Sequence, residues 1–138
     1  MPQFQEERQM NFEDEKDYIM RIIKEAIQAL FSFLLGKEYR TVEPEVKNKY
    51  EVSGKTLREL LDMTDDGDIN EAENILLGGI DYHNKEQVAA AALFYEHLSE
   101  KEERFLRQNH YSREEILDGL KGIMKHAGGD DLLRLLDD

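Results

Sequence analysis

From about Glu13 to Leu35 the chain carries a helical period whose polar side is too narrow for an ordinary surface helix. At 100° per residue, Asp17, Arg21, Lys24, Glu25, Gln28 and Ser32 fall within one arc roughly 100° wide. The remaining arc, roughly 260°, carries Tyr18, Ile19, Met20, Ile22, Ile23, Ala26, Ile27, Leu30, Phe31, Phe33 and Leu34. Such a helix has to be covered on most sides, because apolar surface is driven out of water. Three covers are open: the chain's own core, a second copy, or a membrane surface. A membrane surface wants a Lys/Arg-rich polar face, and here Asp17 and Glu25 offset Arg21 and Lys24. Core packing plus self-association is therefore the expectation. Ile19, Ile23, Ile27, Leu30, Phe31 and Leu34 are the expected interaction surface of a homo-oligomer, a dimer in the simplest case.

The remainder is also helical in pattern. Residues 1–12 show no period and read as a flexible tail, leaving 13–138 as a single helical domain. Gly36 is placed to end the first helix. Residues 37–52 read as an irregular connection, with Pro44 disfavouring helix at Glu43. Ser53 is expected to cap a second helix reaching about Thr64 or Asp65, with Leu57, Leu60 and Leu61 inward. Asp66-Gly67 breaks it. A third helix places Ile69, Ala72, Ile75, Leu76 and Ile80 on one face. A fourth is expected from Lys85 to Arg107, with Val88, Ala91, Tyr95, Leu98 and Phe105 at helical spacing and Glu102 interrupting. Four consecutive alanines at 89–92 permit close approach of a neighbour. Ser112-x-x-Glu115 forms a capping box, with Tyr111 and Ile116 as a hydrophobic staple. It opens a fifth helix that Gly128-Gly129 ends, and Asp130 can cap a short last helix at 132–136. No alternating Val/Ile/Thr run occurs, so no sheet is expected. The fold class is all-α. About five helices are expected, in hairpins (second with third, fourth with fifth) packed around the very apolar N-terminal helix.

Composition narrows the function. The chain holds 31 acidic and 18 basic residues, a formal charge of −13. That opposes binding to nucleic acid, where affinity comes from neutralising phosphates. The absence of Cys removes disulfide, thiolate-metal and Cys-nucleophile chemistry. No apolar run is long enough to span a membrane, and no signal segment is recognisable, so a cytoplasmic location is expected. The charge is uneven: residues 1–50 carry −2 and residues 51–138 carry −11.

One segment has the spacing of a cation site. Asp62, Thr64, Asp66, Asp68 and Glu73 fall at ligand positions of an EF-hand-like calcium loop, with Gly67 at the sharp turn. The competing reading is a plain helix–turn–helix connection in which Gly67 takes positive φ. Gly67-x-Ile69-x-x-Ala72-x-x-x-Leu76 is also similar to the inter-helix turn of a tetratricopeptide repeat, although Leu60 and Lys101 depart from that pattern. The histidines at 83, 97, 110 and 126 make no ligand pair. Glu96, His97 and Glu100 could touch one ion, but helix surfaces produce such triples by chance. Leu132-Leu133-Arg134-Leu135-Leu136 matches a groove-binding L-x-x-L-L pattern, with self-docking as the simpler reading. No phosphate loop, cofactor motif or catalytic constellation stands out. A non-enzymatic interaction module is the leading expectation. A calcium-binding module and an enzyme with an unrecognised carboxylate site are the alternatives.

Three stretches carry a family resemblance: Asp17-Tyr18-Ile19-Met20-Arg21-Ile22-Ile23, Gly67-Asp68-Ile69-Asn70-Glu71-Ala72-Glu73-Asn74 and Tyr111-Ser112-Arg113-Glu114-Glu115-Ile116. The chain resembles a family of short, acidic Firmicutes proteins described as a domain of unknown function. The resemblance implies an all-helical bacterial cytoplasmic protein and implies no activity.

Overall fold

The structure, a computed structural model, describes residues 12–36 and 49–128. Its elements are α1 (Phe12–Leu35), β1 (Glu51–Val52), β2 (Lys55–Thr56), α2 (Leu57–Asp65), α3 (Ile69–Gly79), α4 (Lys85–Ser99), α5 (Glu103–Gln108) and α6 (Arg113–Ala127). The all-α expectation holds. The expected tail 1–12 lies outside the described residues except for Phe12, which opens α1. Residues 37–48 and the segment with Asp130 and Leu132-Leu133-Arg134-Leu135-Leu136 also lie outside them.

The element buried on all sides is α4. Val88 through Glu96 are buried without a break, and α1, α2, α6 and β1 pack on this helix. Ala89 to Ala92 are fully buried, so α4 is slim enough to be enclosed. Small side chains let neighbouring backbones approach, and the close packing of interiors rewards that. The expected pairings of α2 with α3 and of α4 with α6 are both present.

Against this core the wide apolar arc of α1 divides in two. Ile23, Ala26, Ile27, Leu30, Phe31 and Leu34 are buried in the chain's own core. Each large one contributes about 1.5–3 kcal/mol relative to exposure. This corrects the expected interaction surface. Ile23, Ile27, Leu30, Phe31 and Leu34 are covered by the same chain, and only Ile19 is left half-buried. The open side instead carries Tyr18 and Phe33, 49% and 60% exposed. Periodicity alone gives the width of the arc but not which part the core takes.

Two local expectations also change. Ser53 does not cap α2. Ser53 and Gly54 form the turn of a small antiparallel hairpin pairing Glu51 with Thr56 and Val52 with Lys55. Both turn residues have positive φ (56° and 81°), as a two-residue type I′ hairpin loop requires. Strands of two residues are too short to show alternation, so no pattern announces them. The cap of α2 is Thr56. Its hydroxyl accepts from the Glu59 amide at 3.1 Å, while the Glu59 carboxylate accepts from the Thr56 amide at 2.9 Å. Thr56→Ala is expected to cost about 1 kcal/mol in urea unfolding. An unchanged midpoint would show that the box contributes nothing.

The single fourth helix expected over 85–107 is two helices. The chain leaves helical geometry after Ser99 and restarts at Glu103, with Glu102 extended. The Ser99 hydroxyl donates to the Glu96 carbonyl at 2.6 Å, and Arg113 Nη2 donates to the Lys101 carbonyl at 2.5 Å. The first bond satisfies a carbonyl in the last turn of α4, which helix ends otherwise leave without partners, and the second satisfies a carbonyl of the connection to α5. The break at Glu102 falls where the apolar period is interrupted. The Ser112 cap holds as expected, its hydroxyl accepting from the Glu115 amide at 3.3 Å.

Candidate functional site

The calcium-like residues are not brought together. The α2 backbone stays helical through Asp65, so Asp62 and Thr64 sit on a regular helix. Thr64 is buried and its hydroxyl donates to the Leu61 carbonyl at 2.7 Å. Asp62, Asp66 and Asp68 are exposed. Glu73 turns the other way, toward two tyrosines. Among the described residues no group of three or more His, Asp or Glu side chains could hold a metal ion. Calcium needs six to eight oxygens converging at about 2.3–2.6 Å, which a helical first half prevents. Gly67 serves the turn, as the plainer reading holds. Its φ is +97°, and a Cβ there would lie 2.6 Å from Asn109 Oδ1. The Asn70 amide donates to the carbonyls of Asn109 and His110 at 3.4 and 3.3 Å, so the α2–α3 turn docks on the α5–α6 turn.

Glu73 holds the most concentrated polar cluster. Its Oε2 accepts from the Tyr95 hydroxyl at 2.7 Å and from the Tyr111 hydroxyl at 2.9 Å. Tyr95 is fully buried and Tyr111 is 4% exposed. One carboxylate oxygen thus ties α3, α4 and the segment entering α6. Burial, followed by the adjacent Glu73 charge, pushes both phenols well above their ordinary range. They remain protonated donors. Both hydroxyls are committed to Glu73, so the cluster acts as a latch rather than a proton shuttle. Nearby, Tyr82 stacks on His126 with ring centroids 4.5 Å apart, and His126 Nδ1 lies 2.8 Å from the Gly122 carbonyl.

A second cluster joins α2 to the end of α4. Asp65 Oδ1 lies 2.7 Å from His97 Nε2 and 2.5 Å from Lys101 Nζ. Burial raises the Asp65 carboxyl, but hydrogen bonds from Lys101 and His97 outweigh it and hold the group below its usual range. Lys101 Nζ also sits 5.3 Å from the Phe105 ring centroid. The histidines are therefore dispersed: His97 is on Asp65, His126 on Tyr82, His83 faces solvent beside Asp81, and His110 takes positive φ in a turn. The triple of Glu96, His97 and Glu100 does not form one site, since His97 turns to α2.

Sequence reasoning places Tyr95 and Tyr111 in apolar roles and does not single out Asp65 or Lys101. The bonded partners lie 22, 38 and 32 positions apart, beyond any helical period. No local signal joins them.

The outer side of α1 is the remaining candidate. Tyr18, Ile22, Ala29 and Phe33 fall within roughly 60° of one another on the helix. Tyr18 and Phe33 are exposed, and Ile22 and Ala29 are half-buried. The Arg21 guanidinium lies 5.8 Å from the Tyr18 ring centroid. Leu77 of α3 is also exposed, at 39%. Among the described residues no helix is long and apolar enough to cross a membrane.

A family described as "Family of unknown function (DUF6483)" matches residues 13–128, a span that includes all three resembling stretches. No curated protein and no solved structure matches the chain.

Proposed function

We infer that this chain, which belongs to the DUF6483 family of unknown function, is a non-enzymatic helical module that self-associates through the outer side of α1. The observation that carries the reading is the pair of exposed aromatics, Tyr18 and Phe33, on one stripe with Ile22 and Ala29. Exposed apolar stripes with polar rims mark association surfaces. The stripe lies in the part of the chain with a charge of only −2, so a second copy meets least repulsion there. Two aromatics and their half-buried neighbours fall short of the roughly 1,200 Å² that stable interfaces bury, so the association is weak and concentration-dependent. The commitment of Tyr95 and Tyr111 to Glu73 supports a non-catalytic reading. The acidic composition fits a bacterial cytoplasm.

Sedimentation equilibrium from tens to hundreds of micromolar tests this. The wild type is expected to gain mass with concentration, and Phe33→Glu to stay monomeric. Phe33 is exposed, so the variant should fold as the parent does. A wild type that is monomeric throughout, or a Phe33→Glu variant that associates equally, overturns the reading.

A further inference from the structure

The break between α4 and α5 runs against the local preference of its own residues. Glu100, Lys101, Glu102, Glu103 and Arg104 are strong helix formers, and the helical spacing of Tyr95, Leu98 and Phe105 passes straight through them. Glu102 is extended, with φ −67° and ψ 149°, and its side chain caps none of the amides in the first turn of α5. First-turn amides have no partner within their own helix. In one continuous helix, the amides of Glu103, Arg104 and Phe105 would meet the carbonyls of Ser99, Glu100 and Lys101. The tie that opposes this comes from another helix. Arg113 of α6 is almost fully buried, and its Nη2 donates to the Lys101 carbonyl at 2.5 Å. That is the carbonyl Phe105 would take. The Arg113 Nε, also buried, has no hydrogen-bond partner among the described residues, so the tie is an imperfect one. Straightening within one chain is costly all the same. It would pull Leu106 and Tyr111 from the core, break the bond from Tyr111 to Glu73, and carry α6 off α4 and α1. A second copy can supply every one of those contacts.

We propose that residues 100–102 are the hinge of an exchanged dimer, in which α4 and α5 form one helix and the α6 of each copy packs on the α4 of the other. Exchange of an identical element is a low-cost route to a dimer, because the native contacts are remade between copies. The bond from Tyr111 to Glu73 and the seat of Gly119 against Tyr95 re-form across the pair. Only the hinge changes: it loses the Arg113 tie and gains helical backbone bonds. Whatever weakens that tie therefore favours the exchanged form, since the two states differ there. Exchange requires the core to open, so the dimer forms slowly and persists on dilution, unlike a weak surface contact. The hinge lies apart from the outer side of α1, and the proposal does not rest on that surface.

The full chain carrying Phe33→Glu, which silences association through α1, tests the hinge. It is held at hundreds of micromolar near its unfolding midpoint, cooled, diluted to low micromolar and passed over a size-exclusion column. A dimer that survives dilution for hours is expected, with the amides of Glu103, Arg104 and Phe105 exchanging hydrogen more slowly than in the monomer. Adding Arg113→Met keeps an apolar stem but removes the tie, and should raise the dimer fraction several-fold. Adding Glu102→Pro should abolish the dimer. The φ of Glu102 already suits proline, whereas proline inside a continuous helix breaks it. Glu102 is exposed, so this arm decides the matter even if Arg113→Met folds poorly. A dimer that falls apart on dilution belongs to a surface contact. The proposal is overturned if no lasting dimer forms with or without Arg113→Met, if Glu102→Pro dimerises equally, or if the 103–105 amides exchange alike in dimer and monomer.

Discussion

Glu73→Ala is expected to cost about 2–6 kcal/mol of folding stability. The substitution leaves two buried phenol hydroxyls without their acceptor, each at about 1–3 kcal/mol. Tyr95 and Tyr111 donate to the same Oε2, so no second acceptor is in place to take over. Tyr111→Phe removes one donor and leaves the carboxylate its other bond, so the expected loss is smaller, about 1.5–3 kcal/mol for a bond to a charged group. In the Glu73→Ala background, Tyr111→Phe should instead restore part of the stability, because one of the two orphaned hydroxyls is gone. That sign reversal is specific to a buried latch. Urea unfolding of the four proteins measures it. A Glu73→Ala loss below about 1 kcal/mol would show that water satisfies both hydroxyls.

The two glycines within α6 should respond to alanine with opposite signs. A Cβ at Gly119 would fall within 2.6 Å of the Tyr95 hydroxyl and against the ring itself. The ring cannot yield, since it is fully buried and its hydroxyl is held by Glu73. α6 would have to move away from α4. Overpacking of this kind costs about 1–3 kcal/mol and sometimes more, against a helix-propensity gain of about 1 kcal/mol for Gly→Ala. The clash is expected to win, and Gly119→Ala to unfold earlier. At Gly122 nothing lies within 4 Å of the added carbon. There the propensity gain is unopposed, and Gly122→Ala should stabilise by up to about 1 kcal/mol. Thermal unfolding of the pair decides it: equal midpoints would mean that α6 does not sit on Tyr95 as described.

Much of the secondary structure was legible because its signals are local. The Ser112 cap, the Gly67 turn and the leucines of α2 act over three or four residues and are present, although the Glu115 carboxylate accepts from the Ser112 hydroxyl rather than from its amide, so the box is only half formed. Thr56-x-x-Glu59 has the same sequence form as Ser112-x-x-Glu115, but Ser53 also has the chemistry of a cap, and the two-residue strands around it carry no period. The split at Glu102 was visible only as an interruption in an otherwise continuous pattern. What completes the break is the Arg113 bond to the Lys101 carbonyl, and Arg113 belongs to another helix.

The candidate sites divide along the same line. Glu73 stood out for its place in a calcium-like spacing, yet that spacing presupposes a loop, and Leu57 to Asp65 form a helix. Its true partners come from α4 and from the segment entering α6. On α1 the arc is wider than the part the core takes up, and of the expected association surface all but the half-buried Ile19 lie in that core. The exposed remainder is Tyr18 and Phe33, with Ile22 and Ala29 between them.

By itself the sequence determined the all-helical class, the turns at Gly36 and Gly67, the Ser112 cap of α6 and the uneven charge. Each follows from side chains acting on backbone a few residues away, or from composition. Only the tertiary structure decided that α4 rather than α1 is enclosed, which half of the α1 arc stays open, and where Glu73 and Asp65 turn. Those outcomes depend on which helices meet. Four slim alanines let α1 and α6 close on α4, and Tyr95 of that enclosed helix meets Glu73 of α3, a pairing that no repeat in the chain announces.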